Sequence, residues 1–592
     1  MDDLKTLRLV WQGDVRTAES LLADAPKTPR TALLKGMASF LLAALSGDKE
    51  QAGKAVKSLQ ECSSVCKAAE APDTWSGWAA SWIISPEPQE ATAIRAISEL
   101  LLAAALGMNN EYLSAPLALR RSLGVVSKLP LDDGPLKPVR LFGSGFFSLL
   151  LSLLPRPIVK LLTITGGIDE SRLFGNGGPS EKQGEELLAL AAANPPLDET
   201  TYDHGASYLA MIIHLLFKAG RATPDQLTNS SFLESELAAL DTALPDSLVF
   251  AWLSGSVLRR LGRHAAASKR MEQVGRRATE LQLGLPLYRV TFNRAQCLYA
   301  TLEYAAAVEV LSPLVSNDSR YTAKAMALMH TAAALCGTGE YTKAREAMRS
   351  VGEVATKTKG RLDAQLWQRA QCWLAREDGD LPLCAIELHY SVQYLKGQPA
   401  DPDLLSRFTV HAAPILAASC SSPQVEPRIV TYFLDGVCYG MPSRPDYNPQ
   451  KAIECLELCI KTAKEESEYS TKCADRWCGP FALLELSHVQ MATGALNEAA
   501  NSLEASKGIV PQRAYSFHSW HQSMVREGKQ KLKELRKASA EKKDGSGGDA
   551  AAVVEEEGEE AGEEESAEMA ELRVRMEKEA AMEREEERVA VS

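Results

Sequence analysis

Aromatic residues make up only 6% of this 592-residue chain, and the signatures of several enzyme classes are missing from it. It has no Gly-rich loop ending in Gly-Lys-Ser/Thr, no Gly-x-Ser-x-Gly elbow and no strand followed by Gly-x-Gly-x-x-Gly. Nucleotide-dependent and serine-hydrolase chemistry are therefore disfavoured. The nearest imitation, Gly175-Asn176-Gly177-Gly178-Pro179-Ser180, has no Lys and reads as a flexible loop. The start, MDDLKTLRLVWQGD, carries neither a basic n-region nor an apolar core. The twelve cysteines are accordingly expected to be reduced thiols of a cytoplasmic protein, with the nucleus or a lipid-droplet or organelle surface as further locations. Four of them, Cys455, Cys459, Cys473 and Cys478, are spaced for a helical face rather than a zinc knuckle. His518 and His521 lack the Glu of a zinc-protease motif. Neither a metal nor any other cofactor is expected.

Excess charge is also missing from most of the chain. The formal net charge is -12, but residues 544–592 hold 18 acidic and 5 basic side chains, which leaves 60 basic against 59 acidic in residues 1–543. A body so balanced has no basic stripe with which to neutralise phosphates, and nucleic acid is excluded as the expected partner. An uninterrupted membrane span is absent too. The apolar stretch from Leu141 to Ile168 is cut by Pro155-Arg156-Pro157 into halves of roughly 10 to 12 residues, too short to cross a bilayer.

What the chain does contain is a repeat. A small residue is followed at +3 by an apolar or long side chain, at +7 by Gly, at +12 by Ala and at +16 by a large apolar residue. Two copies agree at every offset: Gly255, Leu258, Gly262, Ala267, Met271, and Ala332, Leu335, Gly339, Ala344, Met348. Ala295, Leu298, Leu302, Ala307, Leu311 has lost only the turn Gly, and Cys372, Ala375, Gly379, Cys384, Leu388 uses Cys for small residues. Further copies read Ser487, Gln490, Gly494, Ala499, Leu503 near the C-terminus and Thr6, Leu9, Gly13, Ala18, Leu22 at the N-terminus. Two antiparallel helices approach closely only where one presents a small residue to the other's large one, with a Gly permitting the turn. This is the tetratricopeptide pattern, and it predicts helix pairs.

The most distinctive segment is RLFGSGFFSLLLSLLPRPIVKLLTITGGIDESRLFGNGG, residues 140–178. Gly143, Phe146, Leu149, Leu151 to Pro155, Leu161, Leu162, Gly167 and Phe174-Gly175 resemble the corresponding stretch of the tetratricopeptide repeat protein 39 family, which includes fungal inclusion-body clearance proteins. The resemblance continues in order through YLAMIIHLLF (208–217), the repeats from Phe250 onward and FALLELSHVQMATGALNEAANSLEASK (481–507). It implies a helical scaffold without catalytic residues, linked to clearance of protein inclusions at lipid droplets and to lipid homeostasis.

The expected fold is all-α: an α-solenoid of tetratricopeptide-like antiparallel helix pairs with a central apolar helical hairpin and a disordered acidic C-terminal tail. Residues 1–135 form an N-terminal helical region, 136–178 the apolar hairpin and 179–203 a flexible linker. Residues 204–400 and 401–535 carry the central and C-terminal repeats, and 536–592 the tail with a solvated helix. A partner helix or peptide is expected in the groove lined by first helices, touching Arg259, Asn293, Gln296, Lys324, His330 and Gln368. The alternative is a peripheral lipid surface, met by Trp75, Trp78 and Trp82 on one helical face or by Phe146 and Phe147 in the hairpin.

Overall fold

A computed structural model describes residues 3–70, 88–129, 136–152, 179–193, 205–222, 226–469, 477–508 and 518–544, a few positions in the 88–129 and 226–469 stretches excepted. Among the described residues the structure is helical, with one isolated bridge between Asp48 and Tyr321. The helices are α1 (Asp3–Gln12), α2 (Val15–Ala23), α3 (Pro29–Ser46), α4 (Lys49–Glu70), α5 (Pro88–Met108), α6 (Ala115–Val126), α7 (Lys137–Ser152), α8 (Glu181–Ala192), α9 (Ala206–Gly220) and α10 (Glu234–Ala243). The repeat region continues with α11 (Leu248–Arg260), α12 (His264–Glu280), α13 (Tyr288–Ala300), α14 (Tyr304–Val315), α15 (Lys324–Thr338), α16 (Tyr341–Thr358), α17 (Arg361–Leu374), α18 (Pro382–Ser391) and the one-turn α19 (Tyr394–Gly397). The C-terminal part is α20 (Pro402–Cys420), α21 (Val425–Tyr439), α22 (Pro449–Tyr469), α23 (Cys478–Ala492), α24 (Leu496–Gly508) and α25 (His518–Asp544).

Each copy of the repeat falls across two successive helices. The small first-helix residues Thr6, Gly255, Ala295, Ala332, Cys372 and Ser487 are all buried, as are Ala18, Ala267, Ala307, Ala344, Cys384 and Ala499 on the second helices. The large partners Leu22, Met271, Leu311, Met348, Leu388 and Leu503 are buried with them. Gly255 shows why the offset of sixteen matters, because a Cβ added there would come within 2.8 Å of Met271 Cε. The turn glycines Gly13, Gly262, Gly339 and Gly494 sit at φ of +85°, +76°, +81° and +80°, a region that other residues enter at a cost of about 1–3 kcal/mol. In the copy that lacks the Gly, Leu302 itself adopts φ +67°. Its side chain packs against the two core clusters on either side, which offsets the backbone strain.

The fourth copy departs from the pattern. Gly379 lies in a 3-10 turn, Asp378–Asp380, instead of a left-handed one, and α18 leaves that turn to pack across α15. Side chains long enough to span the opened pair, not small ones, join α17 to α18.

At the N-terminal end the chain folds back onto the repeats. Ser247 Oγ, which caps α11, donates to Trp11 O at 2.6 Å, and Trp11, Tyr208 and Phe250 meet as a ring cluster with centroids 5.4 to 6.1 Å apart. Arg320 reaches Asp48 at 3.0 Å and also pairs with Glu50. Residues from Leu7 to Val290 therefore share one core instead of forming separate N-terminal and central bodies. Helix Gln89–Met108 has mean hydropathy 1.5 and is long enough to cross a membrane, but 67% of it is buried against neighbouring helices.

Two expected boundaries are corrected. The segment expected to be a flexible linker, 179–203, contains α8. Ser180 caps it, accepting from Gln183 N at 3.2 Å, while Ser148 Oγ donates to Ser180 O at 2.9 Å. Gly145 and Gly184 let α7 and α8 touch backbone to backbone, so a Cβ on Gly184 would lie 2.7 Å from Leu149 N. The described partner of α7 in its hairpin is thus α8, whereas residues 153–178 lie outside the described residues. At the C-terminus, α25 continues to Asp544, past the expected start of the tail at 536. The rest of the tail lies outside the described residues.

These contacts separate two glycine substitutions. Gly184→Ala pushes on backbone and is expected to cost about 1–3 kcal/mol. Gly53→Ala, in the interior of α4 with open space where its Cβ would go, is expected to stabilise by about 0.5–1 kcal/mol. Urea midpoints of the two variants test this, and equal midpoints would sink the close-approach account of α7 and α8.

Candidate functional site

Two of the expected groove residues, Gln296 and His330, meet at Tyr394, so the chain itself fills the space in front of them. Helix α15 is buried on all sides, from Ala325 through Cys336 with Met326 the one partly open position. Across it lie α18 and α19, and α20 packs in turn on α18. Tyr299 OH on α13 donates to Ala385 O at 2.8 Å, and Tyr304 OH lies 3.2 Å from His389 Nε2. His330 Nδ1 lies 2.9 Å from Met326 O and so carries the proton, leaving Nε2 to accept from Tyr394 OH at 3.1 Å. Gln296 also hydrogen-bonds Tyr394.

Rings continue this closure. His330 packs edge-on to Phe292 at 5.0 Å, Tyr299 lies 5.0 Å from His389, and His389 lies 5.0 Å from Phe408 of α20. His264 meets Tyr394 at 5.9 Å, and Tyr304 meets His411 at 5.6 Å. Burial holds all four imidazoles neutral. His264 is lowered to about 3, helped by the Arg259 charge, and His330 to about 4. His389 is lowered well below its ordinary value, by burial first and by its histidine neighbours second, and burial lowers His411.

The residues expected to meet a partner therefore divide. Asn293 and His330 are corrected: they are 8% and 1% exposed, His330 facing the chain's own α18 and α19 and Asn293 facing α11, with Asn293 Nδ2 3.5 Å from Ser256 Oγ. Gln296 is half-buried and used by Tyr394. Lys324 donates to Ser316 O at 2.6 Å, and Gln368 is half-buried. Arg259 is half-buried at the end of α11.

Sequence reasoning missed the group that holds α18 in place. Arg369 and Arg376, each 1% exposed at the side chain, converge on Glu387 of α18 and Glu426 of α21. Arg376 reaches Glu387 Oε2 at 2.8 Å and Glu426 at 2.9 Å, Arg369 pairs with both carboxylates, and Trp373 Nε1 donates to Glu387 Oε2 at 3.0 Å. Burial opposes the charge on Glu426, but Arg376 and Arg369 outweigh it and bring the carboxyl to about 2. The two guanidinium groups are balanced by two carboxylates. The available signal was Glu387 inside the apolar run LPLCAIELHY, seven-residue spacing of Arg369 and Arg376, and no solvent-facing reason for either.

An open cleft of about 300 Å³ remains on the surface between α12 and α13. Its lining includes Met271, Leu287, Val290 and Val310, with Arg276, Arg294 and Glu272 at the charged positions. Gly275 keeps the α12 wall flat, since nothing lies within 4 Å of where its Cβ would be.

No family model matches the chain. No curated protein matches it either. Among solved structures, a chain described as "Structure of Naa15/Naa10 bound to HypK-THB" aligns over 91% of this chain and 92% of its own at 14% identity, with a TM-score of 0.23.

The lipid reading is corrected in part. Phe147 is 2% exposed and packs with Ala96, Leu123, Val125, Val126 and Leu151, because α7 lies against α5 and α6; Phe146 is half-buried on the same cluster. Trp75, Trp78 and Trp82 lie outside the described residues. Cys455 is half-buried and pushed up to about 11 by burial, while Cys459 and Cys478 are buried, and Cys473 lies outside the described residues. His521 is buried against Pro480 O at 3.1 Å. Among the described residues no three His, Cys, Asp or Glu side chains come together as metal ligands.

The histidine cluster gives the stability a definite pH dependence. Folded values lie below the unfolded value of about 6.5, so the unfolded chain binds more protons as pH falls. Stability is intact above about pH 6.5 and is lost as pH drops toward the folded values. Burial raises the Asp435 carboxyl to about 6, which acts in the opposite direction over the same window. The urea midpoints are therefore measured in an Asp435→Asn background and are expected to fall between pH 6.5 and 5.5; a flat profile there would contradict the neutral cluster. Independently, Glu387→Ala leaves two buried guanidinium groups short of a partner and is expected to cost about 3–5 kcal/mol, measured by the same unfolding.

Proposed function

We propose that the protein is a non-catalytic scaffold that docks a helix or extended segment of another protein in the open cleft between α12 and α13. The observation that supports this reading is the contrast between the two surfaces of the repeats. The faces that α13 and α15 turn toward α18 and α19 are closed, whereas the face of α13 toward α12 is open as a cleft with an apolar floor and charged edges. Val290 and Met271 are already buried, so a ligand side chain would extend an existing core instead of starting one. Arg276 and Arg294 against the single Glu272 favour a partner segment that flanks apolar residues with acidic ones.

The resemblance of residues 140–178 to the tetratricopeptide repeat protein 39 family adds a physiological direction: clearance of protein inclusions, or lipid homeostasis at a droplet surface. Burial of Phe147 and of most of α5 favours protein over lipid as the direct contact of the described residues.

Gly275→Trp fills the cleft from a position where the structure has open space, so the fold is expected to survive it. A photo-crosslinker at Thr291 identifies the partner, which is then purified and titrated against both forms. The partner is expected to bind Gly275→Trp at least about tenfold more weakly, a loss of about 1.4 kcal/mol. Unchanged affinity would show that docking occurs elsewhere.

A further inference from the structure

We propose that Arg259 and His264 form an anion-binding subsite at the edge of the closed groove, accepting the oxygens of a carboxylate or phosphate group. This site is separate from the α12–α13 cleft and does not depend on a partner docking there. It rests on polar atoms that the chain places together and leaves unsatisfied.

His264 is the first residue of α12 and is 3% exposed, yet neither of its ring nitrogens has a hydrogen-bond partner. A neutral imidazole carries one N–H donor and one acceptor, and a buried one ordinarily satisfies at least one of them. Arg259, five residues before it across the turn at Gly262, has its Nε shielded from solvent and also without a partner. Arg259 is half-exposed at the end of α11, and its guanidinium is near enough for its charge to act on His264, His330 and Tyr394.

The neighbours that could satisfy these groups are committed elsewhere. Tyr394, whose ring meets His264 edge-on, gives its hydroxyl to His330 and takes a hydrogen bond from Gln296. Asp401, the acid whose charge reaches His264, caps α20 by accepting from Leu404 N at 3.0 Å. Arg263, at the cap position of α12, lends no side-chain bond to the helix amides and instead donates to Asn229 O at 2.7 Å. The arrangement thus offers a fixed cation, an imidazole N–H and the start of a helix, with no bound acceptor. An oxyanion supplies acceptors of the required kind, and both guanidinium and imidazole bind it through charge-assisted or oriented hydrogen bonds.

Isothermal titration of the full chain with inorganic phosphate and, separately, with acetate, against sodium chloride at matched ionic strength, tests the assignment. Saturable binding of phosphate, of acetate or of both is expected, and which one binds identifies the source as phosphoryl, carboxyl or either. R259Q and H264N are each expected to weaken that binding about tenfold or more, whereas R259K, which keeps the charge, retains part of it. R276Q, in the separate cleft, is expected to leave it unchanged. Circular dichroism confirms that each variant is folded, and R259K with H264N suffices if R259Q is not. The proposal is overturned if neither anion binds above the chloride control, or if binding survives undiminished in the folded Arg259 and His264 variants.

Discussion

The four-charge group of Arg369, Arg376, Glu387 and Glu426 is the constraint on which the arrangement of the repeats depends. An ordinary helix pair is closed by small residues facing large ones, but the fourth pair is held open by guanidinium and carboxylate side chains that bridge α17, α18 and α21. Such a group is stable in a dry interior only if every charge is paired, and here each Arg meets both carboxylates while Trp373 takes a remaining lone pair of Glu387. With α18 fixed this way, its other face turns onto α15 and α13, and the groove between first helices becomes interior.

That closure explains the unusual chemistry of the groove. Histidines and tyrosines on first helices are polar enough to suit a solvent-facing surface, yet they lie against α18, α19 and α20. The structure accommodates them by keeping the imidazoles neutral and by pairing hydroxyls with ring nitrogens or carbonyls, as Tyr394 does with His330 and Tyr299 with Ala385. Unsatisfied ring nitrogens remain at His264, His389 and His411, and at His264 both nitrogens lack a partner, as does the Nε of Arg259. The neutral cluster and the anion subsite are two consequences of one packing decision.

The helix pairs themselves were legible because their cause is local. Small and large residues sixteen positions apart meet across a tight turn, as Gly255 and Met271 do, and a left-handed turn calls for Gly at a fixed offset. The exception at Leu302 was visible as a missing Gly, but not that Leu would adopt the left-handed conformation, since what stabilises it is packing between its own repeat's core and a second cluster remote in sequence. The helix over Glu181–Ala192 was illegible for a related reason. Its Glu, Leu and Ala favour a helix, but the Gly- and Pro-rich stretches on both sides mask it, and what docks it is the approach of Gly184 to Gly145 on another helix.

The sequence by itself determined that the chain is helical, where the pairs turn, which small residues lie at their interfaces, and that the charge imbalance belongs to residues 544–592. Tertiary structure alone decided which face of the pairs stays open. His330 and Asn293 stand at positions that in a regular array would line a groove, and nothing within their own repeats marks them as buried. His330 is buried by α18 and α19, about sixty residues on, and α18 is positioned by an ion group that joins it to α21 and to the end of α17, whereas Asn293 faces Ser256 of α11. Residue spacing encodes contacts within a hairpin, whereas that closure is a sum of long-range pairings that no local period records.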